Sequence, residues 1–258
     1  MSDYETITYE SSDGIGILAL NRPERLNGIT NQMMRELYSV LLGLPADHGT
    51  RVVVLTGTGK GFCPGADLGH YSSGEREEPL STETFQLTAM LHELPQVTVA
   101  AVNGACAGAG LGWAAACDLR YAAESANFNS AFLGVGISGD MAAPWFLPRI
   151  LGSSKARELM FLHGKFSAAE AERIGFVSRS FPDETFRAEV AAIVTRLAKS
   201  APLALRAMKQ NFLAAEIISL REYIRIETER HQRTGASEDS RAAFRAFVEK
   251  REPEFKGR

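Results

Sequence analysis

The sequence has little that would mark it for export, for a membrane or for nucleic acid. Its 258 residues contain only three cysteines, at positions 63, 106 and 117. An odd number without paired zinc spacing is typical of buried thiols in a reducing compartment. The first six residues are polar and acidic, without a secretory signal pattern. The net charge is −3 and basic runs are missing, so we expect no nucleic-acid or anionic membrane partner and a cytoplasmic location.

Long hydrophobic runs are also scarce. The most apolar stretch, residues 97–117, contains Asn103 and four glycines and is followed by Asp118 and Arg120. A membrane span would need about 20 apolar residues without such interruptions. The stretch instead predicts a strand, a turn and a buried helix.

Apolar patterns typical of strands and helices alternate along the first 200 residues. Strands are predicted at 15–20, 52–56, 97–102, 119–122 and 176–181, and helices at 30–44, 82–94, 111–116 and from Ser167 to Gly175. The continuous apolar runs at 52–56 and 97–102 indicate parallel strands that are covered on both faces. We therefore predict an α/β core of βα repeats over 1–200, with a polar loop at 72–79, and a helical C-terminal region over 201–258.

Two glycine-rich turns follow the two buried strands. They are Gly-Phe-Cys-Pro-Gly-Ala-Asp-Leu at 61–68 and Asn-Gly-Ala-Cys-Ala-Gly-Ala-Gly-Leu-Gly at 103–112. Because parallel strands end at the same edge of a sheet, both turns are expected to point the same way. Backbone N–H groups there can stabilise the negative charge of a carbonyl that becomes an enolate. The glycines are equally consistent with tight turns and close helix packing alone.

Asp140 is the candidate acid. Between Asp118 and Arg149 the only carboxylates belong to Glu124 and Asp140, and Asp140 lies on a turn downstream of both glycine-rich turns. Apolar neighbours are expected to raise its pKa by desolvation; they are Phe132, Met141, Trp145 and Phe146. The alternative is that Asp140 caps a helix over 141–150.

Two other glycine-rich segments resemble nucleotide-binding motifs. Residues 134–139 match the dinucleotide fingerprint as a string, but they lie mid-chain and follow the polar pair Asn129-Ser130. Residues 57–61 resemble a phosphate loop, but no Ser or Thr follows Lys60. Neither string favours a nucleotide cofactor.

Four segments resemble signatures of the crotonase superfamily, also called the enoyl-CoA hydratase/isomerase family. They are residues 21–27, 61–68, 102–119 and 246–255, in the family's order. The resemblance runs from about residue 6 to the C-terminus. It implies a spiral of ββα repeats, a helical C-terminal region that forms a homotrimer or a dimer of trimers, and an acyl-CoA thioester substrate. It implies no metal and no redox cofactor. Coenzyme A is part of the substrate and is not counted as a cofactor.

The same resemblance assigns roles to individual residues. The oxyanion hole falls on the N–H groups of Ala66 and Ala109, where the family usually has glycine at the second position. Contacts with coenzyme A fall on the first signature and the first glycine turn, namely Arg25, Leu26, Ala66, Asp67 and Leu68. Lys250 lies where a cation of the same or a neighbouring subunit can meet the nucleotide phosphates, or it is an ordinary solvated lysine. Phe132 and Trp145 suggest a bulky or aromatic acyl group.

The expected reaction follows from the acids. Hydratases of the family have two glutamates, and Gly112 and Phe132 occupy those positions here. Asp140 lies where single-acid isomerases carry their base, so we predict isomerisation of a 3-enoyl-CoA to a 2-enoyl-CoA. The open alternatives are a 2-enoyl-CoA hydratase, an acyl-CoA binding protein with little catalysis, and a dehalogenase-type reaction, whose histidine base aligns with Phe85.

The C-terminal region is predicted to join subunits or domains. Leu220, Tyr223, Ile224 and Ile226 are more apolar residues than an isolated surface helix needs.

Overall fold

The structure is a computed structural model that describes residues 4–72 and 78–258. Residues 73–77, the centre of the predicted polar loop, lie outside the described part. The strands are Ile7–Ser12 (β1), Ile15–Leu20 (β2), Val52–Gly57 (β3), Gly61–Cys63 (β4), Val97–Val102 (β5), Ala105–Ala107 (β6), Leu119–Ala123 (β7), Asn127–Asn129 (β8), Phe166–Ser167 (β9) and Arg179–Phe181 (β10).

The α-helices divide between the core and the C-terminal region. They are Asn31–Gly43 (α1), Leu68–Ser72 (α2), Leu87–Glu93 (α3), Ala109–Ala116 (α4), Ala143–Leu151 (α5), Ser153–Phe161 (α6), Ala168–Arg173 (α7), Asp183–Ala198 (α8), Pro202–Ala215 (α9), Leu220–Gly235 (α10) and Glu238–Val248 (α11). Short 3₁₀ helices lie at Pro23–Arg25, Leu44–Ala46, Thr84–Gln86 and Leu133–Val135.

The strands form two sheets that the chain visits in turn. The larger sheet has the order β1-β2-β3-β5-β7-β10 and is parallel except for the β1–β2 hairpin. The smaller sheet has the order β4-β6-β8-β9. The chain passes from β3 to β4, from β5 to β6 and from β7 to β8, so each repeat places one strand in each sheet. The predicted α/β spiral of ββα repeats is confirmed.

The larger sheet is covered on both faces, as its continuous apolar strands predicted. Val53 and Leu55 of β3 point into the main core, whereas Val52 and Val54 pack in a second cluster with Phe186 and other residues of α8. Both glycine turns therefore follow strands that are rigidly held.

Some predicted boundaries were wrong. The predicted strand at 176–181 begins only at Arg179, because the N–H groups of Phe176 and Val177 donate to the Ala171 carbonyl and complete the end of α7. The predicted helix 82–94 is divided into a 3₁₀ turn and α3. Strand β1 was not predicted, because five of its six residues lie at an edge and are partly or fully exposed.

The C-terminal helices pack on the core and still expose apolar surface. Lys209 of α9 is buried and contacts Asp118 at 2.8 Å and the Gln96 carbonyl at 2.8 Å. Leu220 and Ile224 of α10 are 73% and 50% exposed. The division at residue 200 falls between α8 and α9 and stays a prediction, as does the trimer. Among the described residues, no helix has the length and hydrophobicity that crossing a membrane requires.

Candidate active site

The two glycine turns touch each other. Gly65 (φ +98°) and Gly108 (φ +52°) both adopt backbone conformations that side chains disfavour. A Cβ at Gly65 would lie 3.7 Å from the Ala109 nitrogen, and one at Gly108 would lie 3.7 Å from the Gly65 Cα. Glycine at both positions therefore allows the N–H groups of the two turns to converge.

Ala66 and Ala109 present free N–H groups at this junction. The first turn is anchored by bonds from Ile29 N–H to the Gly65 carbonyl (2.9 Å) and from Asp67 N–H to the Ile29 carbonyl (3.0 Å). These bonds leave the Ala66 N–H without a backbone partner, and the Ala109 N–H also has none within the described part of the chain. Ala109 is the first residue of α4, so the helix dipole adds to its donor strength. Such a pair can hold a developing oxyanion.

Asp140 lies in the turn before α5, and its carboxylate is unpaired among the described residues. The residue is exposed at the surface, but the protein atoms around its carboxylate remove enough hydration to raise its pKa above the usual 3.8. The helix-cap alternative is wrong. The N-cap residue of α5 is Ala142, and no side chain accepts a capping hydrogen bond from the first N–H groups of this helix. Asp140 contributes only its backbone carbonyl, which accepts from Ala143 N–H at 3.1 Å.

Asp140 adjoins helix α4, because the next residue, Met141, packs against Gly112. Burial raises the pKa of the Cys63 thiol to about 12, and the charge of Asp140 adds to that shift. Cys63 ends β4, three residues before Ala66. Phe132 packs against the second turn, with its Cε1 atom 3.7 Å from where a Cβ of Gly108 would lie. Two N–H donors and an aromatic side chain thus meet at the junction, and Asp140 lies on the neighbouring turn, close enough for its charge to act on Cys63.

The space beside Gly112 is filled. A Cβ there would lie 2.5 Å from the Met141 carbonyl oxygen and 2.7 Å from the Met141 Cβ. A glutamate at this position therefore has no room beside the present backbone.

We expect Gly112→Glu to destabilise the protein without producing a hydratase. The loss of unfolding free energy should be about 3 kcal/mol, the upper end for overpacking, because the clash is with backbone. Chemical denaturation measures this loss, and Gly43→Glu is the matched control because a Cβ at Gly43 meets nothing within 4 Å. Equal stability of the two variants would contradict the packing described here.

The predicted coenzyme A residues cluster beside the first turn. Leu26 is 43% exposed and Leu68 is 54% exposed, while the Leu26 carbonyl packs against Gly61. The Asp67 carboxylate accepts from His70 N–H at 3.0 Å and pairs with Arg22 at 3.0 Å. Burial acts to raise its pKa, but His70 N–H, Arg22 and the charge of Arg25 hold it below the usual value. Asp67 therefore links the first glycine turn (61–68) to the segment 21–27 through its ion pair with Arg22.

Arg22 and Asn27 were not singled out in the sequence, although both lie in the 21–27 segment. Arg22 joins Asp67 to the first loop, and the buried Asn27 accepts from Arg22 N–H at 2.8 Å and donates to the Gly61 carbonyl at 2.8 Å. Their polar side chains between the strand that ends at Leu20 and the helix that begins at Asn31 were the available signal.

Trp145 packs in an aromatic cluster beside α9. Its ring packs against His92 and Phe146, with the Arg149 guanidinium 3.6 Å from the ring centroid. It lines a cavity of about 590 Å³ shared with α9, and Asp140 is not part of that lining. Trp145 as an acyl contact stays a prediction.

The segment that follows Lys250 lies near the start of β3. Residues 252–255 of this segment line a cavity with Arg51. Arg51 precedes β3, whereas the first glycine turn follows the other end of that strand. A contact of Lys250 with the nucleotide phosphates, from the same or a neighbouring subunit, stays a prediction.

Comparison with known proteins agrees with this geometry. Residues 10–258 match the family described as enoyl-CoA hydratase/isomerase, and the chain belongs to this family. A Rhodobacter capsulatus protein named "Probable enoyl-CoA hydratase" is 36% identical over 257 residues, covering 99% of each chain. The 1,2-epoxyphenylacetyl-CoA isomerase of Escherichia coli is 34% identical, covering 98% of this chain and 99% of its own.

Solved structures agree as well. The crystal structure of an enoyl-CoA hydratase from Bacillus anthracis is 29% identical and has a TM-score of 0.92, covering 98% of this chain and 100% of its own. The protein is therefore an enzyme of the enoyl-CoA hydratase/isomerase family with the crotonase fold.

Proposed function

We propose that this enzyme isomerises 3-enoyl-CoA to 2-enoyl-CoA with Asp140 as its single acid and base. The observation that carries the proposal is the arrangement of three groups that have no partner among the described residues: the N–H groups of Ala66 and Ala109 at the junction and the Asp140 carboxylate on the neighbouring turn. Gly112 is packed against Met141 and Phe132 against Gly108, where a hydratase of the family would have its two glutamates.

Proton transfer at both ends of the double-bond system suits one carboxylate. Asp140 removes a proton from C2, and the electron pair delocalises onto the thioester oxygen as a dienolate. The N–H groups of Ala66 and Ala109 stabilise that oxygen, each by roughly 3–4 kcal/mol. Protonated Asp140 then returns the proton to C4, so the double bond moves from C3–C4 to C2–C3. The reaction consumes no water and uses no cofactor beyond the coenzyme A of the substrate.

The remaining substrate contacts are proposed as the sequence predicted them. Arg25, Leu26, Asp67 and Leu68 form the surface along which coenzyme A enters the junction. Lys250 reaches the nucleotide phosphates from a neighbouring subunit of a trimer. Phe132 faces the reacting end of the acyl group.

Hydration of 2-enoyl-CoA is the second candidate, because the Rhodobacter capsulatus relative carries a hydratase name. Hydration needs a water molecule to be activated and a proton to be delivered to the other carbon. Asp140 alone would have to perform both tasks. The Escherichia coli relative carries an isomerase name, but for an epoxide substrate, so the relatives' names do not decide between the two reactions.

Product mass distinguishes the two reactions. Straight-chain and phenyl-bearing 3-enoyl-CoA substrates are incubated with the enzyme, and the products are analysed by mass spectrometry and NMR. We expect a product with the mass of the substrate and a C2–C3 double bond. A product that has gained one water, with no isomer at early times, would contradict the proposal.

The pH profile of kcat/KM should have an acid limb that reports the protonation of Asp140. Because burial raises the pKa of this carboxyl above 3.8, kcat/KM is expected to decrease as the pH falls through a value higher than that. The sign for stability is opposite: a raised pKa in the folded state means that stability is lost as the pH rises through it. Acid therefore inactivates Asp140 while removing its cost to folding. A pH profile of kcat/KM with its acid limb at or below 3.8 would contradict this assignment.

A further inference from the structure

The turn that carries Asp140 is anchored by one buried side chain. Met141 is 8% exposed, whereas its neighbours Asp140 and Ala142 are exposed. Since the Asp140 carboxylate has no partner among the described residues, no side-chain bond fixes its position. The backbone of the turn must do so, and Met141 attaches that backbone to the core.

Met141 is held from two sides. Against α4, a Cβ at Gly112 would lie 2.5 Å from the Met141 carbonyl oxygen, so the helix backbone packs directly on this residue. From α3, the buried Thr88 hydroxyl donates a hydrogen bond to the Met141 sulfur at 3.2 Å. Helix α4 also begins at Ala109, one of the two oxyanion donors. Helix α4 therefore carries one oxyanion donor at its first residue and packs against Met141, the neighbour of the proposed base.

The backbone of the turn needs such support. Met141 (φ +45°) and Ala142 (φ +55°) are consecutive residues in the left-handed region, which residues with a Cβ disfavour. Gly139 has φ +116°, which favours glycine. Residues are held in such conformations only where the surrounding structure determines them, and they cluster at functional sites.

We infer that Met141 is a positioning residue: clamped between Gly112 and Thr88, it sets the distance between the Asp140 carboxylate and the oxyanion hole. The inference rests on the proposed function, because it takes Asp140 as the base. It adds Thr88 and Gly112 to the residues on which the rate depends, although neither reaches the junction with a polar group.

Met141→Ala tests the inference. A displacement of the base by about 1 Å should lower kcat about 10²-fold. The KM should stay near that of the wild type, because the coenzyme A surface beside Ala66 is unchanged. Met141→Leu, which keeps the volume, should restore most of the rate. Thr88→Val removes the hydroxyl and keeps the shape, so it should lower kcat less and have no further effect when combined with Met141→Ala.

Val190→Ala is the control for general loss of packing. Val190 is buried in the cluster on the other face of the larger sheet, and its truncation should lower stability without lowering kcat. An equal loss of kcat in Val190→Ala and Met141→Ala would make Met141 merely structural and overturn the inference. An inactive Asp140→Asn beside a fully active Met141→Ala would overturn the inference alone, whereas a fully active Asp140→Asn would overturn the proposed function as well.

A measurement without turnover completes the test. The ¹³C resonance of the Asp140 carboxyl reports its pKa, which burial raises in the wild type. Releasing the turn by Met141→Ala should let the carboxylate move away from the protein atoms that desolvate it and should move its pKa towards the ordinary value. An unchanged titration would overturn the inference.

Discussion

Asp140→Asn is expected to lower kcat for 3-enoyl-CoA isomerisation by about 10²–10⁴-fold, the scale of a lost general acid–base group. The amide has nearly the shape of the carboxylate but cannot accept the C2 proton. Binding of a saturated acyl-CoA should be unchanged, because the coenzyme A surface and the two N–H donors remain. Steady-state rates and a binding titration measure the two effects separately.

Stability separates this loss from unfolding. Because burial raises the Asp140 pKa, the ionised carboxylate opposes folding at neutral pH, and the neutral amide should leave the protein at least as stable as the wild type. Glu124→Gln is the matched control, since Glu124 is an exposed acid between Asp118 and Asp140. An Asp140→Asn variant with wild-type kcat would remove Asp140 from the chemistry.

Ala109→Pro should lower kcat by about 10²–10³-fold, the effect of losing one oxyanion donor. Proline has no N–H, and Ala109 is the first residue of α4, a position at which proline suits a helix. Gly108 precedes it with φ +52° and ψ −123°, outside the helical region that a residue before proline must avoid. The substitution therefore removes the donor while keeping the helix.

Ala109→Gly is the control, because it removes the methyl group and keeps the N–H. It should retain the wild-type order of kcat, and circular dichroism should show that Ala109→Pro keeps its helical content. A folded Ala109→Pro variant with undiminished kcat would mean that this N–H does not meet the oxyanion.

The framework of the site could be predicted because it depends on local signals. The continuous apolar runs at 52–56 and 97–102 indicated parallel strands, and a glycine-rich turn follows each of them in the sequence. Parallel strands bring such turns to one edge, and the structure places Gly65 against Gly108. Asp140 could be chosen because Glu124 is the only other carboxylate between Asp118 and Arg149.

The remainder depends on contacts between distant segments. The sequence showed that Gly112 lacks a carboxylate, but not that Met141 fills the space beside it. Thr88 looks like an ordinary helix residue until its bond to the Met141 sulfur is seen. Asp140 after a glycine resembled a helix cap, and only the left-handed backbone at Met141 and Ala142 shows that α5 begins later. Trp145 suggested a bulky acyl group, but the sequence did not show that its ring lines a cavity beside α9.

The most direct test of single-acid isomerisation follows the ultraviolet absorbance of the conjugated thioester, with a 3-enoyl-CoA and a 2-enoyl-CoA assayed side by side. We predict a rise with the 3-enoyl substrate and no loss with the 2-enoyl substrate. Loss of the 2-enoyl signal would show that water is added without the two glutamates and would contradict the mechanism. Silence with both substrates across straight-chain and phenyl-bearing acyl groups would contradict it as well and would favour an acyl-CoA binding protein.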